Sequence, residues 1–208
     1  MWSAVAKLVV LLWAVLPAAG CASVDPVVKI GLVAPFEGRD RAIGYDAIYS
    51  ARLAVREINA AGGIGGYRVA LVTLDDRGDA ARAEEAAASL VVDSGVVAVV
   101  GHYLPETTNA AAPIYAGGGL ALLPTGAPPF TESDPAQLPA EFLDAYAAVT
   151  PFDETAGPFA GATYDAFGLL GQALAMAEES TGAITRATVQ DALHGLEYEG
   201  LTGVVYLP

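Results

Sequence analysis

The sequence is poor in the residues that build covalent and metal-based chemistry. Cysteine occurs once in 208 residues, as Cys21, so no disulfide can close within the chain and no cysteine-based zinc site can form. Histidine occurs twice, at His102 and His194, and neither has a partner at ligand spacing, which argues against a metalloenzyme. Two isolated histidines also support no Ser–His–Asp arrangement, and no nucleophile elbow or Walker lysine pattern is present. Basic residues are scarce: 10 Lys and Arg stand against 24 Asp and Glu, for a net charge of -14. A chain this acidic, without any Lys/Arg cluster, repels a phosphate backbone, so no nucleic-acid partner is expected. The polybasic segment that attracts anionic lipid is missing as well. Charged residues make up 16% and apolar residues 54%, which excludes a disordered chain. No cofactor or metal is expected.

The first twenty residues, MWSAVAKLVVLLWAVLPAAG, have one basic residue, Lys7, then an apolar run Leu8 to Leu16, then small residues. This is a signal-peptide layout, and the run is shorter than the ~20 residues that a membrane-spanning helix needs. "LPAAGC" resembles a bacterial lipobox, with Ala18 where leucine is commonest. The expectation is a mature chain that begins at a lipidated Cys21 and hangs from the outer face of the membrane. Loss of Lys7 leaves 9 basic and 24 acidic residues, 9 − 24 = −15.

The body opens with Val27–Ala34 (VVKIGLVA), an apolar, β-branched run that suits a strand covered on both faces. Over Ile43–Ala61 apolar residues fall at helical spacing, and Gly62 and Gly63 end the helix. Arg68–Leu74 is a second strand. Asp79 is an N-cap for a helix over Ala80–Val92. Val96–Val100 is a third strand, Thr107–Ala116 a third helix and Leu120–Leu123 a fourth strand. This alternation implies right-handed βαβ units and a parallel sheet. Pro124–Pro139 holds five prolines without apolar periodicity and is predicted to be a linker or surface loop. Helices are predicted over Ala140–Val149, Phe159–Glu178 and Thr185–Leu196, and a short final strand over Gly203–Leu207. Without βαβ alternation this half cannot make a second parallel-sheet lobe; its helices are expected to cover a face of the first sheet.

Three motifs could carry chemistry. "GGIGGYR" (Gly62–Arg68) follows a helix and precedes a strand, the reverse of a dinucleotide fingerprint, and is predicted to be a turn. "LDDRGD" (Leu74–Asp79) gathers three carboxylates at a strand end; a polar turn with an N-cap is favoured over a cation site or an acid–base pair. His102 follows Gly101 at a strand end, where open sheets place binding residues, with a structural hydrogen bond as the equal alternative.

Several of these pieces resemble a known family. "KIGLVAPFEGRDRAIGYDAIYSARLAVREINAAGGIGGYRVALVTLDD", "VVAVVGHYLPETTNAAAPIYAGGGLALLP", "PAEFLDAYAAVTPFDETAGPFAGATYDAFGLLGQALA" and "ALHGLEYEGLTGVVYLP" are similar, in order, to the branched-chain amino-acid (leucine-type) extracytoplasmic solute-binding proteins of ABC transporters. The match covers nearly all of residues 27–123 and 139–208. Members of the family are two-lobed clamshells that close on a small solute. The resemblance implies an α/β fold with a Rossmann-like parallel sheet, a type I periplasmic-binding-protein lobe. Where the family holds most of its second lobe, this sequence has only residues 124–139, and it stops at Pro208 where the family continues. The implied organisation is a signal peptide (1–20), an anchored linker (21–26), an α/β ligand-binding lobe (27–123), a Pro-rich linker in place of the second lobe (124–139) and helices with a final strand that return to the first lobe (140–208).

The resemblance also implies site residues. The family's serine after the third strand corresponds to Pro105, which has no N–H to give. Its threonine after the fourth strand corresponds to Pro128, beside Gly126 and Ala127. Its aromatic residue in the first loop corresponds to Ile43, next to Tyr45, and a second aromatic to Phe159. His102 and Tyr103 follow the third strand. Pro105 suits the first turn of a helix, and Glu106 suits the positive end of its dipole while competing with a ligand carboxylate. The N–H groups of Glu106 and Thr107 and the hydroxyls of Thr107 and Thr108 remain as donors.

The leading expectation is a lipid-anchored binding protein for an amino acid or similar small solute, working with an ABC-transporter permease and without catalysis. The alternative is a shortened accessory protein that pairs with another chain, for instance as a homodimer across apolar surface left uncovered. An α/β enzyme using Asp75, Asp76 and His102 is the third.

Overall fold

The computed structural model describes residues 25–208; the signal-peptide reading of residues 1–20 and the lipidation of Cys21 lie outside them. Four parallel strands form the sheet: β1 (Val27–Ala34), β2 (Arg68–Asp75), β3 (Val96–Val100) and β4 (Ala121–Leu123), in the order β2-β1-β3-β4. Between them run α1 (Arg41–Ala60), α2 (Ala80–Val92) and α3 (Pro105–Gly117). After residue 139 come α4 (Ala140–Ala147), α5 (Ala160–Thr181), α6 (Arg186–Leu193), β5 (Glu197–Gly200) and β6 (Gly203–Tyr206).

The strands are apolar on both sides because both faces are covered. Successive residues of a strand point to opposite faces. Ile30, Leu32 and Ala34 therefore join Val100 in the larger core, with α1, Phe167, Leu170 and Leu174 of α5, and Val189 of α6. Val33 and Val99 join the smaller core beneath α2 and α3, against Ala83, Leu90 and Tyr115. Each fully buried Leu, Val or Phe contributes about 1.5–3 kcal/mol of transfer free energy, so two filled faces are what hold the sheet. The C-terminal helices complete one of those faces, so the described residues form a single α/β lobe with its later helices packed on its own sheet.

Local signals place the helix ends. Asp79 caps α2, its carboxylate accepting the Arg82 N–H at 3.0 Å. Thr185 and Thr188 form a capping box on α6. Gly182, at φ 73°, closes α5 in the left-handed conformation. The GGIGG segment is a turn joined by an Ile64–Tyr67 bridge.

Two expectations are corrected. Residues 124–139 are no free linker: Phe130 and Leu138 are buried in the main core, short bridges tie Phe130 to Thr125 and Ala127, and Pro135–Gln137 form a 3-10 turn. The final strand is not alone: β5 pairs antiparallel with β6 as a hairpin, and α6 stops at Leu193. Asp165 of α5 latches the hairpin turn, accepting the N–H groups of Leu201 (2.7 Å) and Thr202 (2.8 Å) and the Thr202 hydroxyl (2.6 Å). Among the described residues no helix is long and apolar enough to cross a membrane.

Candidate ligand site at the carboxyl rim of the sheet

The chain leaves β1 toward β2 on one side and crosses back to β3 on the other. The carboxyl ends of β1 and β3 therefore flank a topological switch point, the place where open α/β sheets bind ligands. Four loops meet there: residues 35–40, 76–79, 101–104 and 124–129.

The loop after β3 is held from beneath. Gly101 has φ 116°, and a Cβ there would collide with the Val33 carbonyl oxygen, so only glycine lets β3 lie this close to β1. His102 then turns inward. Its Nδ1 lies 2.6 Å from Asp76 Oδ2 and its Nε2 lies 3.2 Å from the Tyr115 hydroxyl. In the neutral imidazole Nδ1–H donates to the carboxylate and Nε2 accepts from the phenol. Asp76 Oδ1 accepts the Gly78 N–H at 2.9 Å. All three residues are 0% exposed. Burial, and then the charge of Asp76, push the Tyr115 phenol above its ordinary value, so it stays a neutral donor. This corrects the placing of His102 among ligand contacts: both ring nitrogens are spent, and no solute can reach them. The same sealing removes Asp76 and His102 from the enzyme reading; they position loops. Asp75 is also engaged, accepting the N–H groups of Phe36 (2.8 Å) and Arg77 (2.9 Å).

Tyr103 and Phe159 come together, as a T-shaped pair with ring centroids 5.6 Å apart. The Tyr103 hydroxyl shares a 2.8 Å hydrogen bond with Thr163 Oγ1 of α5. Gly126 lies against both: with φ 89°, a Cβ there would strike the Tyr103 carbonyl oxygen and stand 3.5 Å from the Phe159 ring. Gly126 and Ala127 are exposed, and the buried Thr125 offers a hydroxyl without a partner among the described atoms. Residues 60 positions apart in sequence thus build one wall, because α5 returns across the sheet.

Asp46 of α1 fixes the approach to α5. Its carboxylate accepts the N–H groups of Gly157 (3.1 Å) and Phe159 (3.4 Å). Burial pushes this carboxyl up to about 6, against the lowering effect of the two N–H bonds. Asp46 was not singled out in the sequence, where one acid in a helical face carries no signal.

Pro105 is the first residue of α3 and is exposed, as is Glu106; the N-cap residue, Leu104, has no side-chain acceptor. The first bond of the turn runs from the Thr108 N–H to the Leu104 carbonyl at 3.0 Å, leaving the N–H groups of Glu106 and Thr107 unpaired; Glu106 is exposed and Thr107 is buried. The hydroxyls of Thr107 and Thr108 are not donors to a ligand: they donate to the carbonyls of Leu104 (3.0 Å) and His102 (3.2 Å). Ile43 is half-buried against the main core. Tyr45 is 45% exposed, stacks on Tyr49 at 6.4 Å and lines a side cavity of about 310 Å3 with Phe36 and Arg52, to which neither Tyr103 nor Phe159 contributes.

The surface a solute can touch here is thus the exposed Gly126–Ala127 loop, backed by the buried Tyr103–Phe159 pair, with the unpaired N–H and the carboxylate of the exposed Glu106 at the α3 N-terminus. That set can hold a small solute noncovalently.

Residues 27–137, just over half of the chain, match the sequence profile of a family described as Periplasmic binding protein. An "Amino acid binding protein" of Pseudomonas aeruginosa is 35% identical over 99 residues, 48% of this chain and 26% of that protein. "Leu/Ile/Val-binding protein homolog 1" of Brucella abortus is 34% identical over 125 residues, 59% of this chain and 33% of that one. The chain thus spans about a quarter to a third of these relatives' length. Among solved structures, the branched-chain amino acid transporter substrate binding protein LivJ from Streptococcus pneumoniae, in complex with isoleucine, aligns with a TM-score of 0.72 at 18% identity, over 88% of this chain and 92% of that one. Leucine binding protein LivK from Thermotoga maritima aligns with a TM-score of 0.66 at 12% identity, over 86% and 91%. At these identities the likeness is one of fold.

Proposed function

This chain belongs to the periplasmic binding protein family, and we propose that it captures a small solute, an amino acid or analogue, at the carboxyl rim of its sheet. The observation that carries the proposal is the meeting of Tyr103 and Phe159 beneath the exposed Gly126 loop at the carboxyl rim, where α3 also begins with the unpaired N–H of the exposed Glu106. Relatives named for leucine, isoleucine and valine binding support an apolar side chain on the solute. The chain works outside the cytoplasm, tethered through lipid on Cys21, and passes its solute to an ABC-transporter permease. A solute held by this lobe alone keeps part of its surface in water, and binds more weakly than in a cleft that closes on both sides.

The test is thermal unfolding of the chain with leucine, isoleucine, valine, their amides, and aspartate as control. At a solute concentration near five times Kd, stabilisation is about 1 kcal/mol, read as a rise in Tm of roughly 2–4 °C for a chain of this size. No shift with any apolar amino acid or amide, together with a dimer in solution, would overturn the proposal in favour of a chain that pairs with a partner.

A further inference from the structure

We propose that a second cavity, between α1, α4 and α5, binds a primary alkylammonium group. The cavity measures about 290 Å3 and is lined by Leu53 and Glu57 of α1, Phe142 and Glu141 of α4, Tyr164 of α5 and Leu201 of the hairpin turn. It is separate from the rim: at 1.5 Å per residue, Glu57 lies about 20 Å along α1 from Ile43.

Three features select the ligand. The first is a pair of aromatic rings. Phe142 and Tyr164 meet edge to face, with centroids 5.1 Å apart and planes at 68°. Such rings attract a cation through their quadrupoles, more strongly where water is reduced. The second is a carboxylate set in place. The Tyr164 hydroxyl donates to Glu57 Oε2 at 2.5 Å, which fixes that carboxylate at the ring edge and leaves its other oxygen free to accept. Burial, then the hydrogen bond and charge of Glu57, push the Tyr164 phenol above its ordinary value, so this donor stays protonated. The third is charge. Glu57 and Glu141 both line the cavity, and no lysine or arginine does. From residue 124 to 208 the sequence has one basic residue, Arg186, and that side chain is occupied by backbone carbonyls.

The ligand class follows. An ammonium has three N–H donors, and the cavity presents carboxylates from two different helices. The apolar lining available to its methylene stem is Pro139, Ala145 and Leu201. A carboxylate-bearing ligand would meet two like charges, and a neutral alcohol would gain neither charge-assisted bonds nor the ring attraction. The ammonium could belong to a free diamine or to a lysine side chain of a peptide.

Calorimetric titration of the full chain at 150 mM salt tests this, with cadaverine and with Nα-acetyl-lysine N-methylamide as the two probes and 1,5-pentanediol as the neutral control. Saturable 1:1 binding is expected for at least one amine; which one binds identifies the source. Glu57→Gln and Glu141→Gln, both at exposed positions, are each expected to weaken binding about tenfold through loss of a charge-assisted bond. Glu84→Gln on α2 reports the general pull of an acidic chain and is expected to leave affinity unchanged. Equal binding of the diol, no saturable binding of either amine, or equal losses in all three variants would each overturn the proposal. Because the rim residues are untouched, a leucine-induced Tm shift that persists in Glu57→Gln separates failure here from failure of the solute site.

Discussion

Arg186, at the start of α6, reaches back ninety residues in sequence to place its Nε 2.9 Å from the carbonyl oxygen of Val96. The same guanidinium donates to the carbonyls of Gly118 and Val91 at 2.9 Å and of Asp93 at 2.8 Å. It thereby caps the carboxyl end of α2, the entry to β3 and the end of α3 at once. One planar fork with five donors ties the returning helices to the first half of the chain.

Arg186→Met is therefore expected to unfold more easily, by about 2–4 kcal/mol, since it leaves several part-buried carbonyls without donors. Arg186→Lys should recover less than half of the loss, because an ammonium cannot span this set of acceptors. Urea denaturation of the three proteins measures both. Equal stability of the methionine variant and the parent would show that the tie is dispensable.

His102→Ala should destabilise the fold by about 3–5 kcal/mol, because Asp76 would be left buried without its partner. Asp76→Asn should cost less, since the amide keeps an oxygen for the Gly78 N–H. Both variants should loosen the loop after β3, seen as faster amide exchange at Tyr103 and Leu104. Unchanged exchange there would mean that the triad does not hold the rim.

At position 101 a side chain has no room. Gly101→Ala is expected to lose about 1–3 kcal/mol from the strained positive φ alone, with the Val33 carbonyl collision in addition. A Tm within a degree of the parent would contradict the close approach of β1 and β3.

Asp46 makes a pH prediction. Its folded pKa, about 6, lies above the unfolded value of about 3.9. The folded state holds the proton more tightly, so Asp46 contributes stability that is complete below about pH 4 and is lost as pH rises through 6. Asp46→Asn mimics the protonated carboxyl and removes this dependence. Relative to the parent, the variant should gain stability steadily from pH 4 to pH 7 in urea titrations. A difference that stays flat with pH would place the Asp46 carboxyl near its ordinary range. Asp165, also raised by burial, has the same sign in both proteins and cancels in the comparison.

At the rim, Glu106→Gln removes the charge that competes with a solute carboxylate at the α3 N-terminus. It should raise affinity for leucine about two- to fivefold, the effect of one charge at a helix end, and leave affinity for leucine amide unchanged. The same gain for the amide would show that Glu106 acts on the fold and not on the ligand.

Much of the fold was legible because period and punctuation are local. β1, β3 and α2 lie where apolar runs and the Asp79 cap put them. β5 was not legible: EYEG is short and half polar, and it becomes a strand only because β6 pairs with it and Asp165 holds the turn between them. Residues 124–139 look like a linker because proline erases periodicity, yet Phe130 found a place in the core. At the rim, Phe159 and Gly126, to which the resemblance pointed, lie against Tyr103. His102 stands at a strand end, as its sequence position suggested, but its side chain turns inward.

The succession of strands and helices along the chain, the cap residues and the acidic balance belong to the sequence itself, since they rest on local pattern and composition, whereas Gly101 must be glycine only because β3 packs against the Val33 carbonyl. Which way His102 points, what Asp46 and Arg186 hold, and how Glu57 and Glu141 come to line one cavity were decided only when segments 13 to 113 residues apart packed together. Side-chain partners across such distances are chosen by burial and by the need to satisfy polar atoms there, and neither leaves a periodic trace along the chain.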